Sequence, residues 1–165
     1  ILGENSSGKS TLLKIIGGVL SPTKGEINYS ENIVESNQIS FTSPEMDLLH
    51  DYSVQELFDF HFQFKKHKIT INEQLTASKL SEFKDKKYYT LSSGLMNKVK
   101  LSLAIFSDSP VLLLDEPCTN FDHENIKWYA NMIKEYCDNQ LIIVASNNAN
   151  EYNFCNEHIN IQNFK

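Results

Sequence analysis

Apolar and polar positions follow two different periods along this chain. Residues 111–114 and 141–145 are continuous apolar runs of strand length, a pattern typical of strands buried on both faces of a parallel sheet. Residues 38–42 predict a third strand, which Pro44 would end. Two shorter strand candidates are residues 26–29 and 158–161. Because helical segments separate these strands, the pattern predicts an α/β fold with a mainly parallel sheet.

Helical periodicity occurs in the segments between the predicted strands. Residues 11–16 predict a helix that ends at Gly17, and Ser53 is a candidate N-cap for a helix over residues 54–62. Further helices are predicted over residues 71–83, 95–106 and 124–136. Residues 45–90 carry no strand signal, so we expect them to form a small helical subdomain inserted into the core. Four phenylalanines in it are expected to line a core or contact a partner: Phe58, Phe60, Phe62 and Phe64.

Length, charge and cysteine usage narrow the class of protein. The chain has 165 residues and a formal net charge of −6, so we expect one domain over residues 1–165 and no broad nucleic-acid surface. No apolar run approaches the roughly 18 residues of a membrane span. Three widely spaced cysteines indicate free thiols, and five histidines show no zinc spacing. Only Ile1 and Leu2 precede the first glycine motif, so we expect the N-terminal strands of the fold to be missing from this chain.

The most specific motif is the segment Gly3-Glu4-Asn5-Ser6-Ser7-Gly8-Lys9-Ser10, which fits the phosphate-loop pattern G-x-x-x-x-G-K-S/T. Its glycines allow backbone N–H groups to curve around phosphate oxygens, and the following helix presents its positive N-terminus to the anion. Lys9 is expected to reach the β- and γ-phosphates, and the Ser10 hydroxyl to ligate Mg²⁺. The sequence therefore predicts a nucleoside triphosphate site with Mg²⁺, in the core of a P-loop NTPase.

Two acidic residues, Asp115 and Glu116, come directly after the apolar run at residues 111–114. The end of a parallel strand lies at the carboxyl edge of the sheet, beside the phosphate loop. Asp115 is therefore expected to hold Mg²⁺ through water. Glu116, one residue further along, is expected to polarise the attacking water as a general base.

A second candidate anion site lies at residues 91–95, where Ser92 and Gly94 begin the helix that leads to the acidic strand. A serine and a glycine at a helix N-terminus suit a phosphate oxygen. One chain has no obvious need of two such sites, whereas a dimer with nucleotide between its subunits would use both. The two motifs together therefore favour a dimer.

In their order along the chain, these motifs resemble those of the ATP-binding cassette (ABC) ATPases, which drive ABC transporters. Residues 3–11 are similar to the Walker A motif, 91–95 to the signature motif, 111–116 to Walker B with its catalytic glutamate, and 119–122 to the D-loop. The resemblance implies that the nucleotide is ATP. It also implies that ATP contacts the following residues: Gly3, Asn5, Ser6, Ser7, Gly8, Lys9, Ser10, Thr11, Ser92 and Gly94.

The resemblance further implies partners and a location. It implies a head-to-tail dimer, homomeric or heteromeric, in which each ATP site joins the Walker motifs of one subunit to the signature residues of the other. Residues 45–90 would dock on membrane-spanning transporter subunits, and ATP hydrolysis would power transport. The protein would then be cytoplasmic and peripheral on the inner face of the cell membrane, with no nucleic-acid partner.

Three departures from the family pattern affect the expected chemistry. The signature motif carries Ser93 and Leu95 where the family has glycine and glutamine. Glu45 takes the place of the Q-loop glutamine, and its carboxylate is expected to ligate Mg²⁺. Asn147 replaces the switch histidine as a second catalytic residue. It can donate a hydrogen bond to phosphate but carries no charge near neutral pH, which favours slow hydrolysis.

Two other functions stay open at the level of sequence. One is a soluble cassette clamp without membrane partners, which the acidic charge and the lack of a second cassette or a long coiled coil disfavour. The other is a regulatory subunit that binds ATP but hydrolyses it slowly, which Glu45 and Asn147 favour.

Overall fold

The computed structural model describes residues 1–29 and 38–164. Its sheet has three parallel strands in the spatial order β1 (Ile39–Thr42), β2 (Val111–Asp115) and β3 (Leu141–Ala145). All residues of the central strand β2 are buried, as its unbroken apolar run predicts. The predicted α/β class with a parallel sheet is confirmed, and β3 has the predicted bounds.

Helices pack against both faces of this sheet. Side chains of β2 alternate between the faces, so Leu113 packs with Leu13 on one face while Leu112 and Leu114 join a larger core on the other. The helices are α1 (Lys9–Ile16), α2 (Val54–Phe64), α3 (Ile71–Ala77), α4 (Ser93–Phe106), α5 (His123–Tyr136) and α6 (Ala149–Tyr152). Short 3₁₀ helices span Ser81–Phe83, Tyr88–Thr90 and Ile161–Phe164. Within the described ranges, no helix has both the length and the apolar character needed to cross a bilayer.

Helices α2 and α3, both within residues 45–90, begin with a capping box. Ser53 Oγ accepts a hydrogen bond from the backbone nitrogen of Glu56 at 3.1 Å, and the Glu56 carboxylate accepts one from the Ser53 backbone nitrogen at 2.6 Å. Thr70 and Glu73 form the same reciprocal pair at the start of α3. Each box satisfies two backbone donors that a helix N-terminus leaves unpaired. The N-cap predicted at Ser53 is confirmed, whereas the bounds of an inserted subdomain stay a prediction.

The predicted helix over residues 71–83 is wrong in its second half. Lys79 has a left-handed φ of 56°, and the backbone nitrogen of Leu80 donates to the Leu75 carbonyl at 2.8 Å. This hydrogen bond and the left-handed residue form a Schellman motif, which ends a helix. The chain therefore leaves the helix where Leu80 becomes fully buried.

The two shorter strand candidates do not form strands. Residues 26–29 have no regular secondary structure. Over residues 158–161 the structure has only a bridge between Leu2 and Asn160, after which the chain enters the 3₁₀ helix Ile161–Phe164. Both segments are short and mostly exposed, so neither buries the apolar face that stabilises a strand.

The four phenylalanines of α2 do not share one environment. Phe58 is fully buried and Phe62 packs against the same core, whereas Phe60 and Phe64 are 40% and 68% exposed. Alternate positions of an α-helix lie about 200° apart around its axis, so residues separated by four positions share a face. The expected core position holds for Phe58 and Phe62, whereas for the exposed Phe60 and Phe64 contact with a partner stays a prediction.

Candidate functional site

The phosphate-loop motif lies at the carboxyl edge of the sheet. The backbone nitrogen of Ile1 donates to the Val144 carbonyl at 2.6 Å, and the Ser146 nitrogen donates to the Ile1 carbonyl at 3.2 Å. The first residues therefore run beside β3 and lead into the loop. Helix α1 begins directly after the loop, at Lys9, so its positive N-terminal end is directed at the loop.

Both glycines of the motif have backbone conformations that favour glycine. The angle φ is 148° at Gly3 and 102° at Gly8. A Cβ atom on Gly3 would also lie 2.7 Å from Ile161 Cγ2 and 2.8 Å from Ser7 Oγ. These distances are clashes, so any side chain at position 3 would distort the loop.

Lys9 points back into the loop. Its Nζ donates to the carbonyl oxygens of Gly3 at 2.7 Å and Glu4 at 3.0 Å, and the residue is 5% exposed. The neighbouring Ser7 Oγ is buried and has no hydrogen-bond partner in the part of the chain that the structure describes. Buried polar atoms without a partner are rare. An orphaned hydroxyl beside a lysine fits the phosphate oxygens of a nucleotide.

Asp115 and Ser10 meet at the end of β2. Asp115 is buried, and its Oδ1 atom lacks a hydrogen-bond partner among the described residues. Burial raises the pKa of Asp115, and a hydrogen-bonding interaction with the Ser10 hydroxyl opposes that rise. A cation in contact with the carboxylate would satisfy its unpaired oxygen, and hydroxyl and carboxylate oxygens suit Mg²⁺. These two residues therefore fit the expected metal site.

Glu116 leaves the sheet edge in a strained backbone conformation. Its φ is 42°, a left-handed value that costs a non-glycine residue on the order of 1–3 kcal/mol. Its backbone nitrogen donates to the Ala145 carbonyl at 3.0 Å, and its carbonyl accepts from the Thr119 nitrogen and hydroxyl at 3.1 and 2.9 Å. These contacts hold the turn, and the Glu116 side chain is exposed.

Asn147 lies just beyond β3 and contacts the phosphate loop. Its Nδ2 donates to Asn5 Oδ1 at 3.1 Å, and both side chains are exposed. The hydrogen bond joins the end of a strand to a loop that lies 142 residues away in sequence. Each amide has further donors and acceptors, so Asn147 is placed to donate to a phosphate held by the loop.

Glu45 lies after β1 and is ion-paired with α1. Lys14 Nζ lies 2.7 Å from its carboxylate, whose side chain is 77% exposed. The hydrogen bond from Lys14 lowers the pKa of Glu45. Burial is the main cause that raises the pKa of Asp115, and the charges of Glu116 and Glu45 raise it further. The Glu45 and Asp115 carboxylates therefore interact electrostatically. Coordination of Mg²⁺ by Glu45 would require exchange of the Lys14 contact, and this role stays a prediction.

Ser92 and Gly94 lie at the start of α4. Ser92 is the N-cap, and its Oγ accepts from the Leu95 backbone nitrogen at 3.4 Å. A Cβ atom on Gly94 would lie 3.1 Å from the Asn120 carbonyl, so the glycine lets the turn after Glu116 approach the helix. Among the described residues, no hydrogen bond joins Ser92 or Gly94 to the phosphate loop of the same chain.

Two buried polar side chains, which the sequence does not single out, hold the turn that follows Glu116. Asn97 Nδ2 donates to the carbonyls of Pro117 at 2.8 Å and Thr119 at 3.0 Å, which ties α4 to the turn after Glu116. The buried Glu151 accepts from the Cys118 backbone nitrogen at 2.9 Å. Burial raises the pKa of Glu151. No spacing or motif in the sequence marks these two residues, because their partners are backbone atoms of distant segments.

Comparisons with known proteins bear on the family and the fold of this chain. The family model described as "ABC transporter" matches residues 1–119. The cytochrome c biogenesis ATP-binding export protein CcmA of Rickettsia typhi is 31% identical over 149 residues, covering 88% of this chain and 76% of the relative. A Pyrococcus furiosus protein named as an ABC transporter ATP-binding protein has a TM-score of 0.78 at 26% identity, over 98% of this chain and 82% of its own. The ATP-binding cassette MJ0796 bound to ADP and Pi has the same fold, with a TM-score of 0.76 at 22% identity over 92% and 75% of the two chains.

Proposed function

Because the chain belongs to the ABC transporter family, whose cassettes are ATPases, we propose that it hydrolyses ATP to power transport across a membrane as the ATPase subunit of a transporter. One observation carries the proposal. The phosphate loop with Ser10, the adjacent acids Asp115 and Glu116, and Asn147 all lie at one edge of the sheet, although they come from three separate parts of the sequence.

The loop supplies the binding energy for the phosphates of ATP. Phosphate oxygens accept from loop N–H groups at the N-terminus of α1, and Lys9 exchanges the carbonyls of Gly3 and Glu4 for the β- and γ-phosphates. Ser10 and Asp115 would hold Mg²⁺. When bound, the metal would supply positive charge that offsets the negative charge of the phosphates.

Glu116 and Asn147 are the residues proposed to act on the γ-phosphate. The Glu116 carboxylate accepts a proton from water as the water oxygen forms a bond to the γ-phosphorus and the bond to the ADP oxygen breaks. Asn147 donates a hydrogen bond to a γ-phosphate oxygen, where charge accumulates. The carboxylate carries the larger share of the chemistry, because an amide cannot take up the proton.

The site is proposed to be completed by a second subunit. Ser92 and Gly94 present a helix N-terminus at the surface, and within the described residues neither has a hydrogen bond to the phosphate loop of its own chain. In a head-to-tail dimer, homomeric or heteromeric, that helix end would meet the γ-phosphate held by the partner's loop. ATP would then join the subunits, and its hydrolysis would release them.

The proposed contact with membrane-spanning subunits lies on residues 45–90. Tyr52, Phe60 and Phe64 are 37%, 40% and 68% exposed, and Phe60 contacts the other two rings edge-to-face, with ring centroids 5.8 and 5.3 Å apart. Exposed aromatic groups of this size are typical of protein contacts. Docking there would hold the protein at the inner, cytoplasmic face of the membrane.

Copurification from detergent-solubilised membranes tests the transport role. The tagged protein is expected to recover a multi-span membrane protein in stoichiometric amount, and the double variant Phe60→Ser/Phe64→Ser is expected to lose it. Both side chains are exposed, so the variant is expected to fold and to bind ATP with unchanged affinity. Recovery of ribosomes without any membrane protein would favour the soluble clamp and contradict the proposal.

Asn147 supports one alternative, a regulatory subunit with slow hydrolysis, and a histidine at this position tests it. Asn147→His is expected to raise kcat about tenfold, the rate equivalent of a charged hydrogen bond that is about 1.4 kcal/mol stronger in the transition state. Phosphate release at saturating ATP is the measurement, with the exposed neighbour Asn150→His as the control. An unchanged rate would show that Asn147 does not limit turnover.

A further inference from the structure

A buried lysine on α4 holds the loop that carries Glu45. Lys100 is 8% exposed, and its Nζ donates to the carbonyls of Pro44 at 2.8 Å and of Ser43 and Met46 at 3.3 Å each. An ammonium group has three donors and no acceptor, so these carbonyls use its full hydrogen-bonding capacity. Burial lowers the pKa of Lys100, and desolvation makes the carbonyl contacts necessary.

The same loop is held from its other side by α1. Lys14 Nζ contacts the Glu45 carboxylate at 2.7 Å, and Lys14 belongs to the helix whose first residue is Lys9. The loop 43–46 thus lies between two lysines, one on the helix that follows the phosphate loop and one on the helix that begins at the signature residues. The two contacts differ, because one is an exposed ion pair and the other is a buried set of hydrogen bonds.

We propose that Lys100 is a positioning residue that transmits the state of the nucleotide site to the N-terminus of α4. Ligand binding at the phosphate loop changes the Lys14–Glu45 contact and shifts the loop 43–46. Lys100 carries that shift into α4 and so orients Ser92 and Gly94. The inference rests on the proposed function, since it assigns this lysine a role in completing the shared ATP site.

A second buried lysine on the same helix, Lys98, serves as a matched control, since in the described part of the chain it has no hydrogen bond to the loop 43–46. Lys98 is also buried, at 6% exposed, and its Nζ lies 4.6 Å from the centre of the Trp128 ring. Both lysines lose a similar amount of contact with water, and both have pKa values that burial lowers. Replacement of Lys98 therefore reports the cost of losing any buried lysine of α4, and only Lys100 adds the link to the loop.

Hydrogen–deuterium exchange of the purified protein tests the link without any requirement for hydrolysis. In the parent, a non-hydrolysable ATP analogue is expected to change exchange in residues 43–50 and also in residues 92–97. In Lys100→Met the change at 43–50 is expected to persist while the change at 92–97 is lost. Lys98→Met is expected to show both. Lys100→Gln, which keeps one donor group, serves if Lys100→Met does not fold, and it is expected to weaken the change at 92–97.

Kinetics separate positioning from simple destabilisation. Lys100→Met is expected to keep ATP affinity within about twofold and to lower kcat about tenfold or more, as a misplaced reacting group does. A normal nucleotide response at 92–97 in the Lys100 variants, or equal losses in both lysine variants, would overturn the inference. A parent protein that binds the analogue but never hydrolyses ATP would instead contradict the proposed function. The exchange measurement would still test the role of Lys100, because it does not require hydrolysis. No analogue binding would contradict both.

Discussion

Glu116→Gln is expected to abolish phosphate release while leaving ATP binding intact. The amide has the shape of the carboxylate but cannot accept a proton from water, and loss of a general base costs about 10²–10⁴-fold in rate. Glutamine adopts the left-handed conformation at position 116 no more easily than glutamate, so the strained turn and its contacts with Ala145 and Thr119 should be unchanged. Phosphate release and equilibrium binding of ATP are measured on the same preparation.

The matched control for this variant is Glu82→Gln. Glu82 is an exposed acid in the 3₁₀ helix Ser81–Phe83 and is not one of the residues of the proposed ATP site. It is expected to hydrolyse ATP at the parent rate. Parent-like hydrolysis by Glu116→Gln would exclude Glu116 as the base, whereas loss of ATP binding in that variant would show that the glutamine disturbs the loop.

The sequence predicts the sheet and the phosphate loop because their signals are local. An unbroken apolar run can be buried only between two layers, so β2 and β3 follow from residues 111–114 and 141–145 alone. The loop follows from two glycines whose left-handed φ values disfavour other residues, and at Gly3 a Cβ atom would also clash with Ile161 and Ser7. In both cases the physical constraint acts on the residues that show the pattern.

Where the sequence prediction is wrong, the deciding contacts are distant or depend on helix geometry. The helix predicted over residues 71–83 ends early because Leu80 packs into the core, and no local sequence pattern indicates that this residue is buried. The sequence predicts core or partner contact for the phenylalanines of α2 without dividing them, whereas the helix places Phe58 and Phe60 on different faces. The local sequence of residues 26–29 predicts a short strand, although the structure has no regular secondary structure there.

The residues of the candidate site also divide into those with a local sequence signal and those whose contacts are distant in sequence. Motif spacing identifies Asp115 and Ser10, and the structure brings them together. Asn97, Lys100 and Glu151 escape such reasoning because each pairs with backbone atoms at least 20 residues away. For Asn97 and Lys100 on α4, the only sequence signal is a polar residue on a predicted helix face that is otherwise apolar.

The second large effect is expected at Ser92, where two substitutions differ only in charge. Aspartate and asparagine both cap helices as well as serine does, so Ser92→Asp and Ser92→Asn should both preserve α4. A carboxylate facing a γ-phosphate adds like-charge repulsion of several kcal/mol, which weakens dimer formation by about a hundredfold or more. Ser92→Asn should keep ATP-driven association, and loss of association in both variants would point to steric exclusion rather than charge.

The most direct test of the central claim, that the Gly3–Ser10 loop forms half of an ATP site shared between subunits, is the molar mass of the Glu116→Gln protein. Sedimentation equilibrium with saturating Mg-ATP is expected to give a dimer, either of this protein or with a companion cassette recovered beside it. Without nucleotide the mass should be that of a monomer, and adding Ser92→Asp should prevent the dimer. A monomer that binds ATP but never associates, alone or with such a companion, would contradict the account.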